Sequence, residues 1–311
     1  GDHRDLHSFP TRRSSDLSRG IDIIRSNTVV DGITHYVIGE GKHGSPYRGF
    51  INALDCANVT IQNSFFTGHK IYWTIGSAGL PVMMGSYDLH ANSVVNFTLR
   101  NCRMNHINDR TRWGVIATNF CKNILVEDCI LSRLDAHMGV SGNYTVRNSQ
   151  LGWQGLNAIG RGMLTLENAT LYGRSLLNLR SDYGSTWEGH VRITDCKWIL
   201  SDNGQETSYI IGAHNNGMHY FGYTCYMPET IEINNLYIDD SALIGKKHEI
   251  YLFSDPCAGD DKRSLPPLEE RPYPYVACKK VTCRNIAVAS EKPSHISKNE
   301  ELFRAAEINF F

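Results

Sequence analysis

The sequence lacks the features that mark several large classes of protein. Lys and Arg number 31 against 32 Asp and Glu, with no long run of one sign, so no basic field points to nucleic acid or to an anionic membrane. No apolar run approaches the roughly 18 residues that a membrane span needs. The nine cysteines show no paired CxxC motifs of a zinc site and are too sparse for a disulfide scaffold. Amphipathic helical patterns are scarce beside the many Gly and Asn residues, which favours an all-β chain.

The N-terminal end differs from the rest of the chain. Residues 7–17, HSFPTRRSSDL, resemble a translated sequencing adaptor. We therefore expect residues 1–17 to be non-native and the natural N-terminus to lie upstream of Ser18, so that a secretion signal cannot be read. The remaining chain divides into a repeat domain over 18–290 and a tail over 291–311 that we expect to cap one end.

A nine-residue motif recurs along the chain, with the pattern N-φ-x-φ-x-[N/D]-x-x-φ, in which φ is apolar. The copies are NVTIQNSFF from Asn58, NFTLRNCRM from Asn96, NILVEDCIL from Asn123, NYTVRNSQL from Asn143, MLTLENATL from Met163, HVRITDCKW from His190, TIEINNLYI from Thr230 and KVTCRNIAV from Lys280. All eight copies carry Asn or Asp at the sixth position, and the shortest spacing between copies is 20 residues. Such agreement at one position identifies a true repeat.

Each copy has the period-two alternation of a short strand with one buried face. Units this small must stack on their neighbours, which predicts a parallel solenoid of about eight or more coils. The sixth position then lies at a bend, where stacked side-chain amides bond one another from coil to coil. The seventh position, with Cys102, Cys129 and Cys196 among other small residues, is expected to be a packed corner rather than a redox or metal site.

This pattern resembles the right-handed parallel β-helix proteins of the pectin-lyase-like superfamily over about residues 50–290. The resemblance implies an all-β, right-handed parallel β-helix. It says little about activity, because that superfamily holds lyases, glycosidases, esterases and phage tailspikes. The polygalacturonase-type motifs Gly-His-Gly and Arg-x-Lys are missing, as is the pectate-lyase motif Arg-x-Pro-x-x-Arg. No family catalytic residue is therefore carried over.

A second strand precedes the repeats, and its polar residues are expected to share one outward face. Counted back from the repeats, this face carries Asp88, His90, Asp135, His137, Asn157, Asn178, Arg180 and Asp182. In this alignment Asp88 is equivalent to Asp135, and His90 to His137. Two interpretations stay open: a set of structural polar ladders, or an active site in which acids, imidazoles and an arginine converge.

Aromatic and basic residues lie further back along the same strands. The predicted substrate-binding residues are Trp113, Arg133, Trp153, Asn157, Asn178, Tyr183 and Trp187. The alternation of Trp and Arg up adjacent coils fits plain stacking of guanidinium on indole. It equally fits a sugar platform, with aromatic faces for pyranose rings and arginines for carboxylates or sulfates.

Two chemistries fit the polar face. In a polysaccharide lyase, His137 or Arg180 would remove the proton beside a uronate carboxylate, and His90 or a bound metal would neutralise that carboxylate. In a glycosidase, Asp135 would work with Asp182 or Asp88. We expect no cofactor. A calcium site on the two aspartates is less favoured, because they do not lie in adjacent coils.

The sequence thus predicts a carbohydrate-active β-helix protein that degrades a polysaccharide, acidic in the simplest case, as a lyase or a glycosidase. The alternative is a non-catalytic carbohydrate-binding module of a tailspike or a surface adhesin. The expected partner is a polysaccharide rather than nucleic acid or a membrane. A secreted enzyme would be a monomer and a tailspike a homotrimer, and we expect an extracellular, cell-surface or virion location.

Overall fold

A computed structural model of the chain describes residues 20–35, 49–66, 69–75, 80–109, 114–179, 187–213, 225–255, 270, 275–276, 278–292 and 294–310. Within these residues the chain forms 27 strands and two short 3-10 helices, at Ser241–Leu243 and Glu300–Phe303. The adaptor-like segment 1–17 and most of the Pro-rich stretch 257–275 lie outside them.

The strands are short and are numbered in chain order. The first nine are β1 (Ile21–Ile23), β2 (Thr28–Asp31), β3 (Thr34–His35), β4 (Ile51–Leu54), β5 (Ala57–Gln62), β6 (Phe65–Phe66), β7 (His69–Ile75), β8 (Leu80–Asn92) and β9 (Val95–Arg100). The next nine are β10 (Arg103–Met104), β11 (Gly114–Asn119), β12 (Lys122–Glu127), β13 (Ile130–Met138), β14 (Val140–Arg147), β15 (Gln150–Ala158), β16 (Gly160–Glu167), β17 (Thr170–Tyr172) and β18 (Ser175–Leu179). The last nine are β19 (Trp187–Ile199), β20 (Thr207–Gly212), β21 (Cys225–Tyr226), β22 (Thr230–Asp239), β23 (Glu249–Phe253), β24 (Tyr275–Val276), β25 (Lys280–Val288), β26 (Ser294–His295) and β27 (Glu307–Phe310).

The strands pair in three parallel stacks, which wind the chain into a parallel β-helix. Stack A contains β1, β4, β8, β11, the second half of β13, the second half of β15, β18, β20, β23 and β26. Stack B contains ten strands, β2, β5, β9, β12, β14, β16, β19, β22, β25 and β27. Stack C begins with β3, β6 and β10 and continues through the ends of the longer strands. Among the described residues every pairing is parallel except the β7–β8 hairpin. The predicted solenoid is confirmed.

The core of the solenoid is built from the inward positions of the repeats. One row of stack B runs through Val30, Ile61, Leu99, Val126, Val146, Leu166, Ile193, Ile233 and Cys283. From Ile61 onward every member of this row is buried. Burying one such side chain stabilises the fold by about 1.5–3 kcal/mol, so the stacked rows supply the driving force that no single coil has.

The corners repeat the same backbone geometry, which is set by the residue at the sixth position of the repeat. All eight of its Asn and Asp residues have positive φ, between 47° and 56°, the left-handed conformation that these residue types tolerate. Their side chains also bond from coil to coil. Asn101 Nδ2 donates to Asn63 Oδ1 at 2.7 Å, and Asn285 Nδ2 donates to Asn235 Oδ1 at 2.9 Å. The predicted amide ladder is therefore confirmed.

The seventh position forms the packed inner corner that its small residues predict. Cys102, Cys129 and Cys196 are buried, and each thiol donates to a backbone carbonyl two residues earlier. The seven cysteines whose side chains the structure describes are all buried and free of disulfides.

The tail continues the solenoid at its C-terminal end. β26 pairs with β23 in stack A, and β27 pairs with β25 in stack B. Between them the ring of Phe303 stacks on Phe253, with centroids 4.4 Å apart. The tail thus adds a partial coil that covers the last core residues. Within the described ranges, no helix has the length and apolar character that a membrane span requires.

Candidate functional site

One outward row of stack A carries polar side chains along most of its length. Strand by strand, the register aligns Asp22, Asn52, His90, Ala117, Asp135, Asn157, Asn178 and Gly212. We call these eight residues the polar row. The neighbouring positions are apolar and buried, as Leu89 and Ala91 are on either side of His90. The predicted alignment of His90 with Asn157 and Asn178 is confirmed.

Asp135, rather than His137, lies in the row of His90. Ala117 of β11 pairs with His90 on one side and with Asp135 on the other. By the same register Asp88 falls in the preceding row. The predicted equivalence of the two aspartates, and of the two histidines, is therefore wrong.

Local irregularities in the strand pairing cause this difference. Thr118 pairs with Ala136 and Asn119 pairs with Met138, which leaves His137 as an extra residue between them. The pairing of β12 with β14 contains a second shift of the same kind. Each shift adds one residue to the later coil, so the two together add two residues and preserve the period-two alternation. Counting back from the repeat therefore displaced the histidine by two positions.

Arg133 and Trp153 do not lie side by side either. Arg133 pairs with Gly155, because the register of β13 and β15 shifts by two residues just before this point. Trp153 lies within that shift, where its backbone N–H donates to the carbonyl of Ile107 at 3.1 Å. The predicted alternation of Trp and Arg on adjacent coils is wrong for this pair, and Trp113 lies outside the described residues.

The most connected group of the site joins Tyr87, Arg133 and Asp135. The phenol of Tyr87 donates a hydrogen bond to Asp135 Oδ2, and Arg133 Nη2 lies 3.1 Å from the same oxygen. The Arg133 guanidinium also lies over the Tyr87 ring, 5.9 Å from its centroid. Strand β11 lies between the two residues, with Gly114 paired to Tyr87 and Ala117 paired to Asp135.

Amide side chains form two further links along the polar row. Asn52 Nδ2 donates to Asp22 Oδ1 at 3.0 Å and to the carbonyl of Gly49 at 3.0 Å. Asn178 Nδ2 donates to Asn157 Oδ1 at 2.6 Å. These links run from coil to coil, as the structural-ladder interpretation requires.

The members of the site differ in their access to solvent. Asp88 is 0% exposed and Asp135 is 1% exposed, and Asn157 is also buried. His90 is half-buried, with its Nε2 3.3 Å from Asn119 Nδ2, and Arg133 is half-buried as well. The aspartates thus show the burial and the pairing of a structural network, whereas the imidazole and the guanidinium give the site a partly accessible edge.

Trp187 does not belong to a sugar-binding surface. Its side chain is 0% exposed, its indole N–H donates to the carbonyl of Gly162 at 3.1 Å, and its ring centroid lies 6.4 Å from that of Tyr144. A ring enclosed in the core cannot meet a pyranose face, so this prediction is wrong.

Several predicted residues lie outside the described part of the chain. Arg180, Asp182 and Tyr183 belong to this group, and so does the side chain of His137. The described residues contain no group of three or more His, Cys, Asp and Glu side chains able to hold a metal ion. The calcium site on Asp88 and Asp135 stays a prediction.

Sequence reasoning missed Tyr87 as the partner of Asp135. The residue directly precedes Asp88, at the start of the YDLH segment, so its proximity to the candidate residues could be read from the sequence. Its contact with Asp135, 48 positions later, could not be read from the sequence, because the contact depends on how strands β8 and β13 flank β11.

Comparison with known proteins returned a partial match. A protein of Klebsiella phage P510, described as "Depolymerase, capsule KL64-specific", is 30% identical over 121 residues. The matched region covers 35% of this chain and 12% of that relative, so the chain corresponds to a small part of the longer protein. No protein-family model matches the chain, and no solved structure matches it significantly.

Proposed function

We propose that this chain is a polysaccharide-degrading β-helix, similar to the β-helical parts of phage tailspikes and related to the pectin-lyase-like superfamily. The observation that carries the proposal is the similarity to a capsule depolymerase in a chain whose repeats build a parallel β-helix. The near-neutral charge supports it, because the chain lacks the basic field expected of a nucleic-acid-binding protein. The proposal places the protein outside the cell or on a virion, with a polysaccharide as its partner.

We place the reaction at the accessible edge of the polar row. Asp135 accepts a hydrogen bond from Tyr87 and forms an ion pair with Arg133, an arrangement that suits a carboxylate that accepts a proton or orients its neighbours. His90 lies in the same row two strands away, roughly 10 Å along the stack, and is half-buried. Arg133 would meet a carboxylate of an acidic sugar. His137, Arg180 and Asp182 complete the proposed catalytic set, with Trp153, Asn157 and Asn178 toward the substrate.

The experiment separates the two reaction types. The full chain is incubated with polygalacturonate, hyaluronan, bacterial capsular polysaccharides and dextran, and absorbance near 235 nm and new reducing ends are followed together. Absorbance with reducing ends identifies a lyase, because elimination leaves an unsaturated sugar. Reducing ends alone identify a glycosidase.

Variants connect the activity to the site. Asp135→Asn and His90→Ala are expected to abolish or strongly reduce turnover. Asp128→Asn is the matched control, because Asp128 occupies the exposed corner position at which six of the eight repeats already carry Asn. If Asp135→Asn and His90→Ala are as active as Asp128→Asn and the wild type, the polar row takes no part in the mechanism.

A non-catalytic polysaccharide-binding module is the second candidate. The observation that favours it is the burial and pairing of Asp135 and Asn157, the pattern of a structural ladder. Retention of a polysaccharide without any new ends or absorbance would establish this alternative.

A further inference from the structure

A cavity of about 550 Å³ opens along stack B, on a different face from the polar row. Among its described lining residues are three glycines, two carboxylates, two cationic side chains and an exposed tyrosine. Its volume lies within the range of roughly 300–1,000 Å³ that is typical of small-ligand sites. The mixture of charged groups and one aromatic ring is not that of an apolar packing gap.

The floor of the cavity is backbone. Gly142, Gly162 and Gly189 pair in register on β14, β16 and β19. All three have positive φ, and a Cβ on Gly162 would lie 2.2 Å from the carbonyl oxygen of Gly142. A side chain is therefore excluded there, and the three coils form an open trough about 10 Å long between the outermost strands. We call it the glycine groove.

One end of the groove is closed by an ion pair. Glu229 follows Gly189 in the same row, with its N–H donating to the Gly189 carbonyl at 2.6 Å, and Lys279 follows Glu229. Lys279 Nζ lies 2.5 Å from Glu229 Oε1. Hydrogen bonding to this ammonium lowers the pKa of Glu229. The pair presents donors and acceptors to the groove while its two charges compensate each other.

The sides of the groove carry groups that suit a hydroxyl-rich ligand. Arg161 and Glu188 are paired in register and both are exposed. Neither forms an ion pair with another described residue, so the guanidinium donors and carboxylate oxygens face the cavity uncommitted. Tyr226, 41% exposed, adds an aromatic face. Carboxylates accept hydroxyl protons, a guanidinium donates to hydroxyl or carboxylate oxygens, and a ring packs on the apolar face of a pyranose.

We infer that the glycine groove is a second saccharide-binding site, which holds a short segment of a glycan through Arg161, Glu188 and Tyr226. The inference rests on the proposed function and adds to it a site separate from the polar row. A separate site of this kind would keep a polymer attached while another part of it is cleaved, as expected for linked binding events on one chain.

The test uses an array of immobilised di- to tetrasaccharides, both acidic and neutral, probed with the labelled full chain. The wild-type protein is expected to bind at least one arrayed oligosaccharide. Arg161→Ala and Tyr226→Ala are each expected to reduce that binding by about tenfold or more, whereas Tyr226→Phe, which keeps the ring, retains it.

Matched controls come from exposed positions outside the groove. Arg192 lies on β19 in an ion pair with Glu232, and Tyr237 on β22 is 42% exposed, close to the value for Tyr226. Arg192→Ala and Tyr237→Ala are expected to leave binding unchanged, with melting temperatures measured for all variants.

A silent array, or binding that Arg161→Ala and Tyr226→Ala do not weaken, overturns the inference. Either result combined with degradation of a long polysaccharide leaves the proposed function standing and removes the groove from it. Binding that depends on the groove, without degradation of any polysaccharide, supports the groove and contradicts the proposed catalysis.

Discussion

Tyr87 and Asp135 are joined by a hydrogen bond that crosses an entire strand, because β8 and β13 lie on either side of β11. Arg133 holds the same carboxylate oxygen. The three side chains link neighbouring coils at the point where the chain departs from regular pairing. The same contacts that form the candidate site therefore also stabilise the solenoid.

Removing the phenol oxygen is expected to destabilise the fold. A hydrogen bond to a charged group contributes about 1.5–3 kcal/mol, and Tyr87→Phe removes it while keeping the ring under Arg133. Tyr237→Phe serves as control, because this tyrosine is 42% exposed. Denaturant unfolding measures both free energies of unfolding. Equal stability of the two variants would show that the bond to Asp135 adds nothing to the fold.

The corner asparagines are expected to contribute both conformation and hydrogen bonding. Asn101 has φ 48° and donates to Asn63. Asn101→Ala should lose about 2–3 kcal/mol, of which about 1–2 kcal/mol is left-handed strain and the rest the lost hydrogen bond. Asn101→Gly removes the strain, so it should recover the larger part of the loss. An alanine variant as stable as the glycine variant would contradict this division.

Glu127 is expected to make the free energy of unfolding depend on pH in the acidic range. Its carboxylate bonds Arg100 Nε at 2.5 Å and Arg147 Nη2 at 2.6 Å. Burial alone would raise its pKa, but the bonds from Arg147 and Arg100 outweigh burial and lower it below the ordinary 4.5. A lowered pKa means that the stabilisation is complete above about pH 4.5 and is lost as the pH falls through the lower, folded value.

The measurement compares wild type with Glu127→Gln across this range. The wild type should be the more stable at neutral pH, and the difference should shrink as the pH falls below about 4.5. Glu232→Gln is the control, because its pair with Arg192 is exposed and contributes little. A difference that does not change with pH would contradict the proposed ion-pair cluster.

The buried thiols are expected to be unreactive until the chain unfolds. Burial raises the pKa of Cys121 and Cys196 to about 11 and that of Cys278 and Cys283 to about 12. Thiolate is the reactive form, so it is scarce at neutral pH. Of the nine cysteines, the seven described as buried should stay unmodified by a chromogenic thiol reagent in the native protein and react after denaturation. Modification of more than two thiols in the native state would contradict this.

The sequence allowed the fold to be predicted because its repeat is local. Every copy carries its own alternation and its own corner residue, so the strand, the bend at Asn101 or Asp128, and the packed cysteines beside them could be read without long-range information. The side on which polar residues line up could be read in the same way.

The arrangement of the site was less accessible to sequence reasoning. Bulges around His137 and a two-residue shift before Gly155 move side chains between rows without any change in the apolar pattern. Trp187 is enclosed through contacts with other coils, a hydrogen bond to the Gly162 carbonyl and packing near Tyr144, which no single-strand pattern shows. The glycine groove did leave a signal, because glycine directly precedes three consecutive repeats, at positions 142, 162 and 189.

The most direct test of the account measures the length of a polysaccharide rather than its ends. Capsular and uronate polysaccharides are incubated with the full chain and analysed by size-exclusion chromatography with light scattering. The molar mass of at least one polymer is expected to fall with time, and Asp135→Asn is expected to prevent the fall. Unchanged molar mass for every polymer, with none retained by the protein, would contradict the claim that this β-helix acts on polysaccharides.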